Sequence, residues 1–129
     1  SARSNLLSKK IIDEQNLHAC FADKLPMKNN SIDLVFTSVV LIHIPDHDIN
    51  KVINEIFRVS SKFILIIEYF SPVDECVIYR GKDDLLFKRD YGSLFLDNFK
   101  ELKLVDYGFF WKRVTKQDNV NWWLFKKLS

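Results

Sequence analysis

The sequence predicts one α/β domain in which a helix connects two buried, parallel β-strands. Two continuous apolar runs, IDLVFTS at 32–38 and KFILIIEYF at 62–70, are typical of strands that are covered on both faces. The segment between them carries apolar residues at helical spacing: Ile49, Val52, Ile53, Ile56 and Phe57. A strand, a helix and a strand in this order form a βαβ unit, whose crossover we expect to be right-handed.

Local signals predict where this helix begins and ends. Pro45 is followed by Asp46 and Asp48, and carboxylates are favoured at the positive amino end of a helix. Arg58 closes the helix. The connection between the two strands is therefore expected to be a single amphipathic helix.

Further elements flank the βαβ unit. Apolar residues at helical spacing predict a helix over 4–15, and alternation predicts a short strand over 17–22 that ends at Asp23. A turn follows, because Pro26 and an Asn-Asn-Ser cluster precede the first buried strand. After the unit, the sequence predicts a polar loop, a helix and the two strands of a closing antiparallel hairpin, at 71–84, near 89–99, at 102–111 and at 120–127.

Composition limits the class of protein. The chain has 129 residues and a net charge of +2, which is too weak to indicate a nucleic-acid partner. Cys20 and Cys76 have no metal-ligand spacing around them, which favours reduced thiols in the cytoplasm over a disulfide or a zinc site. No run approaches the roughly 18 apolar residues of a membrane helix, and no signal peptide opens the chain. We expect a single soluble cytoplasmic domain over 1–129.

Candidate site residues follow from the sheet. An open α/β sheet binds ligands at the carboxyl ends of its strands. Three segments lie there in the predicted arrangement: Asp23, the loop TSVVLIHIP at 37–45, and EYFSP at 68–72.

These segments resemble a known family. LPMKNNSIDLVFTSVVLIHIP at 25–45 and INEIFRVSSKFILIIEYFSP at 53–72 are similar to the second half of class I S-adenosylmethionine-dependent methyltransferases. The resemblance implies a Rossmann-like sheet and S-adenosylmethionine as cofactor. The segments at 68–97 and 102–113 resemble methylases associated with pseudaminic acid biosynthesis, a bacterial pathway to nonulosonic sugars. This narrower resemblance implies an acidic sugar or nucleotide sugar as substrate.

One part of the family pattern is missing. The glycine-rich loop after the first strand and the acid that binds the ribose hydroxyls have no counterpart, because Gly81, Gly92 and Gly108 lie in no such motif. The resemblance thus implies an incomplete sheet, the carboxyl-terminal portion of a larger methyltransferase domain. We expect this chain by itself to bind the cofactor weakly or not at all.

The resemblance also implies roles for cofactor-binding residues. Asp23 corresponds to the carboxylate that accepts a hydrogen bond from the adenine amino group, and Lys24 contributes its backbone N–H. Thr37 and Ser38 lie where the chain passes under the methionyl group and the methyl donor. The alternative for Asp23 is an exposed residue that caps a turn, and for Thr37 and Ser38 it is an ordinary strand end.

Candidate substrate residues follow the second buried strand. Glu68 and Tyr69 lie where acceptors approach the donor, and Tyr79, Arg80 and Lys88 are suited to the carboxylate of an acidic sugar. The alternative for this last group is a solvated loop. Trp111 is either part of the core, like the other Phe and Trp residues of the tail, or a stacking surface for a sugar ring.

His43 is the only candidate catalytic side chain, and a supporting role in the turn is its alternative. Methyl transfer asks little of side chains, because the sulfonium is an activated donor and alignment supplies much of the acceleration. Two other functions stay open. The chain could keep a methyltransferase frame as a non-catalytic binding or scaffold module, or it could bind RNA through FKRDYGSLF. The latter is disfavoured because the basic residues do not cluster.

Overall fold

The computed structural model describes residues 24–78, 85–116 and 119–128. The predicted helix at 4–15 and strand at 17–22 lie outside these ranges. The described strands are β1 (Ile32–Ser38), β2 (Ser60–Glu68), β3 (Glu75–Ile78), β4 (Leu85–Lys88), β5 (Leu102–Phe110) and β6 (Val120–Lys127). The described helices are α1 (Asp46–Val59), α2 (Tyr91–Asn98) and the short α3 (Lys112–Thr115), with a 3₁₀ turn at Leu41–His43.

Four strands form the main sheet in the order β1-β2-β6-β5. β1 and β2 are parallel and α1 connects them, which confirms the predicted βαβ unit. β6 is antiparallel to both β2 and β5. The predicted closing hairpin is thereby confirmed, and it completes a mixed sheet on the side of β2 away from β1.

The apolar face of α1 packs on one face of this sheet. Pro45 occupies the N-cap position, Asp46 and Asp48 lie in the first turn, and Arg58 lies in the last turn, as the sequence predicts. The core contains buried side chains from α1, β2, α2 and β6, among them Ile53, Ile64, Ile66, Phe95 and Phe125. Burying each such side chain contributes roughly 1.5–3 kcal/mol. This core fixes the carboxyl ends of β1 and β2 relative to each other.

The predicted polar loop at 71–84 is partly wrong. Glu75–Ile78 forms β3, which pairs antiparallel with β4 in a separate two-stranded sheet. Each strand has only four residues, too few to show a clear alternation of apolar and polar side chains. Cys76 lies in β3 as a free and exposed thiol. We call the described residues 70–78 and 85–89, which include β3 and β4, the β3–β4 excursion.

Element boundaries differ from the predicted ones for local reasons. β2 ends at Glu68 rather than at residue 70. α2 begins at Tyr91, because the Asp90 carboxylate accepts a hydrogen bond from the Ser93 N–H and so caps the helix. None of the helices in the described ranges is long and apolar enough to span a membrane.

Two glycines accommodate the tryptophans of β6. A Cβ atom at Gly92 would lie 2.4 Å from the Trp123 indole, and one at Gly108 would lie 2.5 Å from the Trp122 indole. The absence of a side chain therefore lets α2 and β5 approach β6 closely.

Candidate active site at the carboxyl ends of β1 and β2

The carboxyl ends of two neighbouring parallel strands form the candidate site. Ser38, the last residue of β1, pairs with Ile67, the residue before the end of β2. The chain then leaves β1 through Val39–Ile44, a segment that contains the 3₁₀ turn and that we call the β1 turn. It leads directly to Pro45 and α1.

The β1 turn begins with an unusual backbone conformation. Val39 has a φ of 54°, in the left-handed region that β-branched residues rarely adopt. Its N–H donates to the Ile67 carbonyl at 2.8 Å, which continues the β1–β2 ladder by one residue. Such strained residues persist only where the surrounding structure holds them in place, and they concentrate at functional sites.

Glu68 holds the amino end of this turn. Its carboxylate is completely buried and accepts four hydrogen bonds. Oε2 accepts from the Thr37 hydroxyl at 2.9 Å, from the Val40 N–H at 3.1 Å and from the Leu41 N–H at 3.2 Å. Oε1 accepts from the Ile42 N–H at 3.2 Å. The first N–H groups of a helical turn lack intrahelical acceptors, so the carboxylate supplies what they need.

Two opposing effects determine the pKa of Glu68. Burial raises the pKa of this carboxyl from 4.5 to about 7, because the charged form loses its hydration. The hydrogen bonds from Val40, Thr37, Leu41 and Ile42 act in the opposite direction, because they stabilise the charged form. The group therefore titrates near neutral pH rather than in the acid range.

Arg89 holds the carboxyl end of the β1 turn. Its side chain is almost fully buried, at 4% exposure. One terminal nitrogen donates to the Ile44 carbonyl and to Asp46 Oδ1, both at 2.7 Å. The other donates to the Tyr91 hydroxyl at 3.0 Å and lies 3.5 Å from the Leu41 carbonyl oxygen. Burial raises the pKa of the Tyr91 phenol, so this hydroxyl stays neutral.

The structure places the predicted cofactor residues as follows. Thr37 is buried, and its hydroxyl is hydrogen-bonded to Glu68, while Ser38 is half-buried at the strand end. Lys24 is exposed at the beginning of the described chain, and Asp23 lies outside it. Thr37 and Ser38 are thus brought next to the end of β2. Their predicted contacts with a cofactor stay predictions.

Some of the predicted acceptor residues are likewise described by the structure, and others are not. Tyr69 and Lys88 are half-buried at the ends of β2 and β4, and His43 is exposed at the end of the 3₁₀ turn. Tyr79 and Arg80 lie outside the described residues. The interpretation of Glu68 is wrong, because its carboxylate is buried against the β1 turn and cannot face an acceptor.

Part of the aromatic tail differs from the interpretation as core. Phe109 is exposed at 55%, and Trp111 is exposed at 53%, as its alternative role as a stacking surface requires. Phe125 is completely buried, as expected. Among the described strands, β5 has a neighbour only on the side of β6.

Sequence reasoning missed the roles of Glu68 and Arg89 in the β1 turn. The one local signal for Glu68 is that it is a single acid at the end of the aliphatic run FILIIE. An acid in such a run is expected to be buried, and a buried carboxylate requires specific hydrogen-bond donors. Arg89 lies next to a predicted helix start and gives no comparable signal. Within the described residues, no group of three or more His, Cys, Asp or Glu side chains could hold a metal ion.

Comparison with solved structures identifies the fold. The chain aligns with a methyltransferase from Methanosarcina mazei at a TM-score of 0.65 and 13% identity, covering 84% of this chain and 65% of that one. It aligns with 1,6-didemethyltoxoflavin-N1-methyltransferase from Burkholderia thailandensis, bound to S-adenosylhomocysteine, at 0.68 and 14%, covering 87% and 50%. The fold is that of the S-adenosylmethionine-dependent methyltransferases.

Two further comparisons bear on the extent of this likeness. Magnesium protoporphyrin IX methyltransferase from Synechocystis aligns at a TM-score of 0.59 and 12% identity, covering 84% of this chain and 49% of that one. The family model described as "Methyltransferase domain" matches residues 2–62. No curated protein matches the chain in sequence.

The methyltransferase fold agrees with the predicted Rossmann-like class, including the incomplete sheet and the closing hairpin. The chain spans about half to two thirds of the length of these solved methyltransferases. The narrower resemblance to pseudaminic acid methylases stays a prediction.

Proposed function

We propose that the protein is an S-adenosylmethionine-dependent methyltransferase that acts on a small molecule in the cytoplasm. The observation that carries the proposal is the β1 turn, which is held at the carboxyl ends of two adjacent parallel strands in a domain with the methyltransferase fold. Ligands of open α/β sheets bind at this edge. A fold alone does not imply a function, so the site geometry is the stronger support.

The residues at the end of β1 fit the methionyl end of S-adenosylmethionine. Ser38 is small and half-buried, and the chain turns directly after it at Val39, which has a positive φ. The N–H groups of Val40, Leu41 and Ile42 already donate to Glu68, so they are not available to the cofactor. Ser38 and the backbone around Thr37 would therefore make the contacts, and Asp23 with the backbone of Lys24 would hold the adenine.

The cofactor would supply an activated methyl group. The protein's own contribution is alignment of donor and acceptor, which can account for several kcal/mol of the barrier, of order 7 or more in favourable cases. A general base is needed only if the acceptor is a hydroxyl or a protonated amine. His43, exposed at the end of the β1 turn, would serve as that base.

We further propose an acidic nonulosonic sugar, or its nucleotide conjugate, as the methyl acceptor. The support is the resemblance of 68–97 and 102–113 to pseudaminic acid methylases. Tyr69, Tyr79 and Arg80 would contact the sugar, and the planar fork of Arg80 would bind its carboxylate through two parallel hydrogen bonds. Methyl transfer to a panel of acidic and neutral sugars tests this assignment, and turnover of neutral sugars alone would contradict it.

A second candidate function is a non-catalytic binding module with a methyltransferase frame. Such a module would lack the nucleotide-binding glycine loop, and none of the three glycines of this chain lies in one. Calorimetric titration of the full-length protein with S-adenosylhomocysteine separates the two functions. An enzyme would bind it, and Asp23→Ala would weaken binding roughly ten- to hundredfold through loss of one hydrogen bond to a carboxylate. The exposed Asp97→Ala in α2 is the matched control. Absence of binding by the wild-type protein would favour the binding module.

A further inference from the structure

Two buried side chains that carry opposite charges when ionised, Glu68 and Arg89, lie at the two ends of the β1 turn. Glu68 accepts hydrogen bonds from the N–H groups of Val40, Leu41 and Ile42. Arg89 donates to the Ile44 carbonyl and lies 3.5 Å from the Leu41 carbonyl oxygen. Anions are stabilised near the N–H end of a helical turn and cations near its carbonyl end. The two charges therefore match the polarity of the turn that they contact.

The Glu68 carboxylate is hydrogen-bonded to the β1 turn and to Thr37 in the strand before it. None of the ion pairs among the described residues includes Glu68, and all of its hydrogen bonds come from Thr37 and the turn backbone. A buried ion is weak evidence for stability, because removing it from water costs more than most contacts return. Its position next to the strained Val39 indicates that it fixes one conformation of the turn.

Arg89 comes from a different part of the chain. It directly follows β4 and closes the base of the β3–β4 excursion, since the Ser71 N–H donates to the Arg89 carbonyl at 3.2 Å and Phe70 forms a parallel bridge with it. Its backbone thus belongs to the excursion, while its side chain contacts the turn. A displacement of the excursion would move the guanidinium and the carbonyl groups that it contacts.

We propose that Glu68 and Arg89 are positioning residues that together hold the β1 turn, with Arg89 coupling it to the β3–β4 excursion. The inference rests on the proposed function, in which the turn borders the cofactor and the excursion carries Lys88, a candidate acceptor residue in β4. Neither residue touches the reacting atoms. Binding of the acceptor to the β3–β4 excursion would thereby influence the position of the β1 turn next to the cofactor, because the buried Arg89 side chain connects the two.

Amide hydrogen exchange in the full-length protein tests the positioning role directly. At pH 8, where the wild-type Glu68 is mostly ionised, the side-chain NH₂ of Glu68→Gln faces N–H donors in place of a carboxylate oxygen, so we expect exchange of the Val40, Leu41 and Ile42 amides to accelerate about tenfold or more. Arg89→Lys keeps the charge but loses the fork, and we expect a smaller acceleration at the same amides. If Glu68→Gln does not fold, Thr37→Val takes its place, because it removes one donor and leaves the carboxylate. The exchange measured in Arg89→Lys then still tests the proposal.

A matched control separates positioning from general destabilisation. Asp90→Ala removes the cap of α2 next to Arg89 without changing a contact of the turn. This control should leave the exchange of the turn amides unchanged relative to other core amides. Wild-type protection of the turn amides in both Glu68→Gln and Arg89→Lys would overturn the proposal.

A kinetic measurement distinguishes this inference from the proposed function. With methyl transfer measured at saturating acceptor, we expect both positioning variants to raise the KM for S-adenosylmethionine about tenfold, whereas Asp90→Ala keeps the wild-type value. If the wild-type protein transfers no methyl group and binds no S-adenosylhomocysteine, the proposed function fails while the exchange result stands. If it transfers methyl groups and both variants keep the wild-type KM, the positioning role fails while the proposed function stands.

Discussion

The two ends of β1 both carry a residue with positive φ, but they tolerate it very differently. At the amino end, Asn30 has a φ of 53°, and at the carboxyl end, Val39 has a φ of 54°. Asparagine is several-fold enriched in the left-handed region, whereas a β-branched residue there is a true outlier. Asn30 is also exposed, and its side chain accepts a hydrogen bond from Lys127 at 2.8 Å. The strand therefore enters the sheet without strain and leaves it with strain.

The charged groups at the two ends show the same contrast. At the amino end, Glu55 and Arg58 pair directly at 2.6 Å, and Arg58 also donates to the carbonyls of Leu25 and Met27. The hydrogen bond from Arg58 lowers the pKa of Glu55. At the carboxyl end, burial raises the pKa of Glu68. An ion pair near solvent, such as Glu55 with Arg58, is typical of a contact that only stabilises the fold. A strained turn next to a buried carboxyl with a raised pKa is typical of a functional site.

The largest expected effect is that of Glu68→Ala. The variant leaves the N–H groups of Val40, Leu41 and Ile42 buried without acceptors, and each such loss costs about 1–3 kcal/mol. We expect the free energy of unfolding at pH 6 to fall by about 3 kcal/mol or more, measured by urea denaturation. Glu55→Ala is the matched control, and it should lower the free energy of unfolding less, because water can reach its half-buried partner Arg58 and replace the lost contact. Equal losses in the two variants would contradict the contrast between the ends of β1.

An effect of similar size should appear in the pH dependence of stability. Because the pKa of Glu68 is raised from 4.5 to about 7, its contribution to the free energy of unfolding is fully present below pH 4.5. It is lost as the pH rises to about 7, and the total loss is about 3 kcal/mol. Glu55 has a lowered pKa, so its contribution is present above pH 4.5 and lost in the acid range.

Urea denaturation of the wild type, Glu68→Gln and Glu55→Gln between pH 4 and pH 8 tests these opposite signs. The stability of the wild type relative to Glu68→Gln should decrease as the pH rises, and its stability relative to Glu55→Gln should decrease as the pH falls. Among the described residues, Tyr91 interacts electrostatically with Glu68, Arg89 donates a hydrogen bond to the Tyr91 hydroxyl, and His43 is exposed on the same turn. Burial keeps Tyr91 neutral over this range. Parallel slopes for the two variants would show that Glu68 titrates like an exposed carboxyl.

The sequence was sufficient for the elements that depend on periodicity. The apolar spacing of Ile49, Val52 and Ile53 predicted α1, and the continuous apolar runs predicted β1 and β2. Strand β3 and strand β4 were not predicted, because four residues do not establish a period. Long segments with a strong pattern are thus predictable, while short strands that rely on each other for pairing are not.

The candidate site was predictable only as a location. The rule that ligands bind at carboxyl ends of strands pointed to Thr37, Ser38 and Tyr69. The hydrogen bonds that shape the turn join residues far apart in the chain, such as Glu68 with Ile42 and Arg89 with Ile44. Neither local spacing nor propensity encodes such pairs. The exposed Phe109 was misread for the same reason, since only the sheet order shows that β5 lies at one end of the described strands.

The smallest effect on the free energy of unfolding is expected for Val39→Gly, and this variant tests the comparison between the two ends of β1 most closely. Val39→Gly relieves a left-handed conformation that costs a residue with a Cβ roughly 1–2 kcal/mol. Glycine loses about 0.5–1 kcal/mol more backbone entropy on folding, and the half-buried valine side chain loses its contacts. The two sides nearly cancel, so we expect the free energy of unfolding to change by less than about 1 kcal/mol.

The measurable consequence of Val39→Gly should lie in the turn rather than in global stability. Glycine can leave the left-handed region freely, so the Val40, Leu41 and Ile42 amides should exchange faster while urea denaturation stays close to the wild type. Asn30→Gly at the other end of β1 is the control, and it should leave these amides unchanged. A global loss above about 2 kcal/mol in Val39→Gly would mean that packing of the valine side chain, rather than the carboxylate of Glu68, holds the turn. If the turn amides of Val39→Gly exchange as in the wild type, the contacts from Glu68 and Arg89 suffice to fix the turn, and the strain at Val39 is their consequence.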